Sequence, residues 1–368
     1  MTLNATRAFG AQLQPEGGTV FRLWAPSAKE VDLELDPQGA PSEHAMHKTD
    51  DGWHEVRVAG VGAGTRYQFA IDGAKPVPDP ASRYNPLDVH GPSEVVDPRR
   101  YQWNDVAWRG RPWHEAVVYE LHIGAFTPEG SYTAAKDKLA DLAELGITAI
   151  ELMPLSDMPG TRNWGYDGVL PYAPDAAYGT PDELRALIDH AHGLGLMVLL
   201  DAVYNHFGPD GNYLHGFCPE FFNPQHQTPW GAAINFDGRH NAPVRQFFIE
   251  NALYWIEDFH FDGLRLDAVH QIRDDSPKHI VQEIAERIHA GPGRNRHVHV
   301  VLENDLNQAE PLERDAAGQP RSATAQWNDD IHHCAHVLLT GEVDFYYQDF
   351  AKSPVADLAL GLAQGFVY

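Results

Sequence analysis

Three apolar stretches that end in polar side chains restrict the fold more than any other part of this 368-residue chain. They are Val198-Leu-Leu-Asp-Ala-Val-Tyr-Asn-His206, Phe261-Asp-Gly-Leu-Arg-Leu-Asp-Ala-Val-His270 and His297-Val-His-Val-Val-Leu-Glu-Asn-Asp305. Each carries β-branched or leucine bulk and closes in acids, amides or histidine. Strands that are apolar on both faces and polar only at their C-terminal ends describe a parallel α/β barrel, whose chemistry gathers at that rim. Side chains alternate across a strand, so Gly263, Arg265 and Asp267 share one face, with a cation two positions before a carboxylate. Arg265 would keep Asp267 ionised and fix its direction through charge-assisted hydrogen bonds. Alone, such a pair would serve equally well to anchor a strand end.

The three stretches together decide between those readings. Asp201 with Asn205-His206, then Gly263-x-Arg265-x-Asp267, then Glu303, resemble in order the first three signature regions of the α-amylase superfamily of glycoside hydrolases. The resemblance implies a (β/α)8 barrel in which Asp267 is the nucleophile and Glu303 the acid/base of a retaining mechanism. Val300-Val-Leu302 surrounds Glu303 with apolar bulk, which would raise its pKa and keep it protonated. By the same resemblance Arg265 and His206 hold the nucleophile and the sugar, Asp201 supports the site floor, and Tyr166 in Trp-Gly-Tyr-Asp-Gly stacks on the reacting ring. Leu266, Ala268, Val269 and His270, which flank the nucleophile, are counted with the substrate-binding set.

Residues 1–100 have a different rhythm. Thr19-Val-Phe-Arg-Leu-Trp-Ala25, Glu30-Val-Asp-Leu-Glu-Leu35, Trp53-His-Glu-Val-Arg-Val58 and Thr65-Arg-Tyr-Gln-Phe-Ala-Ile71 alternate apolar with polar residues and are separated by Asp-Gly turns. That pattern predicts a small antiparallel β-sandwich. It is similar to the N-terminal, carbohydrate-binding-like domain of isoamylase- and branching-type members of the superfamily. Trp24 and Trp53 would then either touch glucan or serve as core aromatics. Residues 101–115 form a connector, in a Pro-, Arg- and Asp-rich region too aromatic for a floppy linker.

From residue 116 to 368 the spacing predicts strand, loop and helix in turn: strands over 117–126, 147–154, 197–202, 261–270 and 297–303, and a sixth over 324–330. Thr180, Pro181 and Glu183 together read as a helix start with a capping box. A loop excursion at about 207–240 follows the third strand. Six strands would leave two open parallel edges, so the expectation is an incomplete barrel, with the third catalytic carboxylate beyond residue 368 and 365–368 beginning a seventh strand.

Composition sets the class of partner. The 52 Asp+Glu against 27 Lys+Arg disfavour nucleic acid and anionic membranes, and suit a neutral glucan. Two distant cysteines, Cys218 and Cys334, make no disulfide framework. The N-terminus lacks a signal-peptide pattern and no run reaches membrane-spanning length, so a cytoplasmic protein is expected. No His-x-x-x-His pair or EF-hand loop appears, and no cofactor or metal is called for.

Tyr119-Glu-Leu-His-Ile-Gly-Ala-Phe-Thr-Pro-Glu-Gly130 and Trp327-Asn-Asp-Asp-Ile-His-His333 refine the resemblance to the branch of the superfamily that hydrolyses maltooligosyltrehalose. That branch releases trehalose from maltooligosaccharides carrying it, which implies functional pairing with a synthase that makes the substrate. Asn328, Asp329, Asp330 and His332 would then contact the trehalosyl end, or else cap the strand end. The alternatives are a glucan branching or debranching enzyme and a non-catalytic glucan-binding protein.

Overall fold

The computed structural model describes residues 7–36 and 41–368. Eight short strands build the N-terminal part: β1 (Gln12–Leu13), β2 (Thr19–Trp24), β3 (Val31–Leu35), β4 (Ser42–Ala45), β5 (His47–Lys48), β6 (Trp53–Val58), β7 (Arg66–Ile71) and β8 (Ser93–Glu94). They pair antiparallel in two sheets, ordered β1-β2-β6-β5 and β4-β3-β7-β8. Alternation brings Phe21, Leu23, Val31, Leu33, Leu35, Tyr67, Phe69 and Ile71 into one core between them. Trp24 and Trp53 belong to a different core. Both are buried at the joint with the second part, where Phe9 lies 4.7 Å from Trp53 and 5.1 Å from Phe247, and Trp24 lies 5.7 Å from Phe221. They are joint aromatics, and no ring face remains for a glucan.

The second part contains β9 (Val118–Leu121), β10 (Ala149–Leu152), β11 (Ser156–Asp157), β12 (Leu170–Pro174), β13 (Met197–Ala202), β14 (Phe222–Thr228), β15 (Gly231–Ile234), β16 (Gly263–Leu266), β17 (His299–Glu303) and β18 (Ala325–Trp327). Six of these form one parallel sheet, ordered β9-β10-β13-β16-β17-β18, curled as part of a TIM-type barrel. Helices cover its outer face. The helix Pro181–Gly193 starts with the expected capping box, in which Thr180 Oγ1 accepts from Glu183 N and the Glu183 side chain accepts from Thr180 N. It buries Leu184, Leu187, Ile188 and Ala191 against the sheet.

Strand register sorts the side chains into outer and inner sets. Val198, Leu200, Leu264, Leu266, Val300 and Leu302 join the core with the helices. Their alternates face inward, in layers set by the pairings Glu151↔Leu199↔Gly263↔His299 and Asp201↔Arg265↔Val301. Gly263 is required here, since a Cβ would fall 2.4 Å from the His299 carbonyl oxygen.

Several elements are shorter than the pattern predicts. β9 stops at Leu121 and the chain turns into a helical turn, Ile123–Phe126. β18 stops at Trp327, because Asn328 accepts from Ile331 N and starts the helix Asp329–Thr340. Residues 365–368 form no strand, and Val367 N donates to Asp330.

A polar hub ties the connector to the barrel floor. Asp262, fully buried, accepts from Val198 N at 2.9 Å, Trp108 Nε1 at 2.8 Å and Arg296 Nη1 at 3.0 Å, and contacts His192 Nε2 at 3.0 Å. The other nitrogen of His192 meets Asp105 at 2.8 Å, and His260 reaches the same carboxylate at 2.7 Å. These acids hold the His192 pKa above its ordinary value although burial opposes them, and Asp105 and Asp262 are held down in return.

Candidate active site

The C-terminal ends of β13, β16 and β17 bring Asp201, Arg265, Asp267 and Glu303 into one cluster. Arg265 is its centre. Its Nη1 donates to Asp201 Oδ1 and Oδ2, both at 3.0 Å, and to Asp267 Oδ1 at 2.8 Å. Its Nη2 lies 3.1 Å from Glu303 Oε2. One buried guanidinium therefore faces three carboxyl groups, which raises its pKa further despite burial.

The carboxyls differ in environment. Burial pushes Asp201 up to about 7 against the pull of Arg265, and the Tyr166 hydroxyl donates to it at 2.9 Å. Burial also raises Glu303, and the nearby Asp267 charge adds to this, while Arg265 and the Ala268 N–H at 2.8 Å pull the other way. Asp267 is fixed from the opposite side by Asn205, whose Nδ2 donates to its carbonyl at 2.8 Å and to Oδ2 at 2.9 Å. Asp267 thus has one oxygen on a cation and the other on an amide, whereas Glu303 has an environment that favours its protonated form. Two neighbouring carboxyls in such different environments are the requirement for acid and nucleophile roles.

Local backbone makes this possible. Ala268, just after Asp267, has φ of 40°, the left-handed region that a non-glycine residue rarely adopts. The turn aims its N–H at Glu303 rather than continuing the strand. Gly165, at φ of 104°, lies so close to Pro154 that a Cβ would meet its carbonyl oxygen at 2.4 Å, and this packing carries the adjacent Tyr166 to Asp201.

His206 lies on the loop after β13. Its pKa is lowered by burial, so the ring is neutral at pH 7, and Nδ1 is bonded to Asn205 Oδ1. Trp230, at the turn between β14 and β15, stacks on His206 with ring centres 4.3 Å apart and planes at 8°. It is 49% exposed, so its other face is open. Trp327 lies over Arg265 at 5.7 Å.

The structure does not bring every expected residue to this cluster. Leu266 and Val269 join the hydrophobic core, Leu266 because it alternates away from Arg265, and Val269 because the left-handed turn at Ala268 ends the strand and redirects the chain. His270 Nδ1 lies 3.3 Å from Asp305. Asn328 is spent on the helix cap, with Asp329 in that helix's first turn. Asp330 is buried, bonded to Asn307 Nδ2 at 3.0 Å and to Val367 N. His332 is exposed on the same helix. Asn205, Trp230 and Trp327 belong to the site although no role was assigned to them from sequence. Asn205 sits within the motif that supplied Asp201 and His206, but amides are common strand caps. Trp230 comes from a hairpin with no motif at all.

With this geometry in view, comparison with known proteins is informative. Residues 8–92 match carbohydrate-binding module 48, the isoamylase N-terminal domain, and residues 99–225 match the alpha amylase catalytic domain. The malto-oligosyltrehalose trehalohydrolase of Saccharolobus solfataricus is 43% identical over 98% of this chain and 62% of its own length. That of Deinococcus radiodurans is 42% identical over 99% of this chain and 57% of its own.

Over almost its whole length the chain is similar to malto-oligosyltrehalose trehalohydrolases, with a module 48 segment followed by an alpha amylase catalytic segment.

It spans about three fifths of the length of these relatives. A crystal structure of an alpha-amylase candidate from Salmonella typhimurium superposes with a TM-score of 0.95 at 48% identity, over 99% of this chain and 61% of that one. A pullulanase from Anoxybacillus complexed with maltotetraose shares the fold at 21% identity, with a TM-score of 0.73, over 88% of this chain and 53% of its own.

Proposed function

We propose that the protein hydrolyses the α-1,4 bond next to the terminal trehalose of maltooligosyltrehalose, releasing trehalose by a retaining mechanism. The observation that carries this is the shared guanidinium: Asp267 and Glu303 grip the same Arg265, and they lie within hydrogen-bonding reach of each other. Such closeness favours a retaining pair over an inverting one, whose carboxyls stand about 6.5–9.5 Å apart to admit a water.

In the first step Glu303 protonates the glycosidic oxygen as Asp267 attacks the anomeric carbon, giving a glycosyl ester. In the second, Glu303 deprotonates a water that attacks the same carbon and frees Asp267. Arg265 balances the charge that moves between the two carboxyls, and Asn205 holds Asp267 in line. Asp201 and Tyr166 support the guanidinium from below. Neutral His206 offers a hydrogen-bonding edge to the reacting sugar, and Trp230 a stacking face to the next.

The substrate assignment rests on the trehalohydrolase relatives, which cover both parts of the chain. Its supply needs a synthase that converts the reducing end of a maltooligosaccharide into an α,α-1,1 linkage, and a shared cytoplasmic location follows from that pairing. No described helix is long and apolar enough to cross a membrane. The test is chromatography of products from maltotriosyltrehalose. Trehalose plus maltotriose is expected. New α-1,6 branches or released linear chains from amylopectin, without trehalose, would move the activity to branching or debranching.

A further inference from the structure

Away from the Arg265 cluster, on the loop after β10, two acids are buried together without a cation. Asp157 is 1% exposed and Asp175 is 2% exposed. Antiparallel pairing of Ser156 with Pro174, and a bond from Asp175 N to the Leu155 carbonyl at 2.8 Å, bring their segments together, with a bulge at Asp157, which itself pairs with Leu170. Each has only part of its bonding capacity used. Asp175 accepts from Ala177 N at 2.6 Å, while the Ala176 N–H lies near Asp157 and the Met158 N–H near Asp175. The Oδ2 atom of each acid has no partner, and neither has the hydroxyl of Tyr132, which is fully buried and electrostatically coupled to both.

The charge around them makes the arrangement costly. The further charged group that acts on both acids is another acid, Asp88, which takes the Gly160 N–H at 3.0 Å. No Lys, Arg or His is among the groups that act most strongly on either acid. Ionised carboxylates out of water each cost several kcal/mol unless paired, and orphaned polar atoms in one place call for an explanation. A single proton shared by the acids would satisfy two oxygens at most. A cation would take lone pairs from all three at once.

We propose that Asp157, Asp175 and the Tyr132 hydroxyl form a binding site for a hard divalent cation of the calcium type. Oxygen-only donors, two of them anionic, are the chemistry that such ions select, with main-chain carbonyls and water completing the shell. The site joins the loop after β10 to the turn that starts the helix Pro181–Gly193, beside the Asp88 segment that leads from the sandwich. Its effect is to fasten this joint, with no part in bond cleavage. A second cluster, His226, Asp237 and Asp275, also places ligand atoms within 4.8 Å of one another. There, however, His226 Nε2 already meets Asp237 Oδ2 at 2.7 Å, and Asp237 Oδ1 accepts from Asn223 Nδ2 at 2.7 Å. It is the natural control.

The test uses the purified chain, stripped with EGTA and then given Ca²⁺ alone, with bound calcium measured by equilibrium dialysis and unfolding followed by heat. One Ca²⁺ per chain is expected, with Tm rising by about 3–5 °C at calcium a hundredfold above Kd. Asp157→Asn combined with Asp175→Asn abolishes both responses, and Asp275→Asn keeps them. Should the double variant fail to fold, Tyr132→Phe removes one donor without disturbing packing, and it weakens binding severalfold. A wild type that binds no calcium and melts at the same temperature with and without it overturns the proposal. So does a calcium response that survives the double variant, that is lost in Asp275→Asn, or that Tyr132→Phe leaves at full affinity. These readouts do not depend on the activity proposed above.

Discussion

Replacing Arg265 by Lys keeps one positive charge and removes the fork, so it isolates what the guanidinium geometry contributes. Arg265 makes four close contacts to three carboxyls: two to Asp201, one to Asp267 and one to Glu303. A lysine ammonium, as a point donor on a narrower stem, keeps about two of them. Hydrogen bonds to charged groups contribute about 1.5–3 kcal/mol each. Losing two costs about 3–6 kcal/mol, and the share felt in the transition state lowers kcat/KM by about 10² to 10⁴. The pH profile gives a sharper test. Arg265 lowers the Glu303 pKa against burial. Moving the charge away lets burial act more fully, so Glu303 stays protonated to higher pH and the alkaline limb of kcat/KM shifts upward. The assay is product release from maltotriosyltrehalose across pH 4–9, with circular dichroism to show that the fold is kept. A folded variant whose alkaline limb is unmoved, or moves down, refutes the claim that Arg265 sets the protonation of Glu303.

Four other outcomes follow from contacts elsewhere in the structure. Asp262→Asn strips the charge from the floor hub and leaves Arg296 and His192 under-compensated, costing about 3–5 kcal/mol in urea unfolding. Because the His192 pKa is raised on folding, its contribution is complete below about 6.5 and fades as pH rises through the higher folded value, whereas Asp105 and Asp262, held low, lose theirs only as pH falls below about 3.8. His192→Gln therefore flattens the loss of stability between pH 6 and 8 seen in the wild type; an unchanged slope counts against the hub. Gly263→Ala, with its Cβ forced to 2.4 Å from the His299 carbonyl, gives a chain more than about 3 kcal/mol less stable or one that does not accumulate folded. Trp230→Ala raises KM for maltotriosyltrehalose by about tenfold with kcat changed less, as loss of a stacking face requires; an equal fall in kcat would place Trp230 in the chemistry instead.

The parts of this molecule that were legible in the sequence are those written in local periodicity. The sandwich strands alternate, the barrel strands are apolar runs with polar ends, and the capping box at Thr180 is a three-residue signal. Strand parity alone placed Gly263, Arg265 and Asp267 on one face, and register then set Asp201 beside Arg265. What escaped depends on contacts between distant segments. The 324–330 stretch read as a strand because it is apolar before its acids, yet Asn328 finds the Ile331 N–H and begins a helix. Leu266 and Val269 flank Asp267 in sequence, but strand alternation turns Leu266 into the core and the left-handed turn at Ala268 carries Val269 there. Trp24 and Trp53 look like sugar platforms in a carbohydrate-binding domain, and only Phe221 beside Trp24, and Phe9 between Trp53 and Phe247, show them to be buried at a joint. The Asp262 hub joins residues up to 191 positions apart, from Asp105 to Arg296, and has no sequence pattern.

The central claim is that Asp267 and Glu303 act as a retaining pair around Arg265, and the anomeric configuration of the first product tests it most directly. Proton NMR of the reducing-end anomeric signal, recorded within the first minutes of maltotriosyltrehalose hydrolysis, distinguishes the two outcomes before mutarotation blurs them. The account predicts that maltotriose appears first as the α-anomer, with Asp267→Asn releasing none. First appearance of the β-anomer, or hydrolysis that persists in Asp267→Asn, would contradict it.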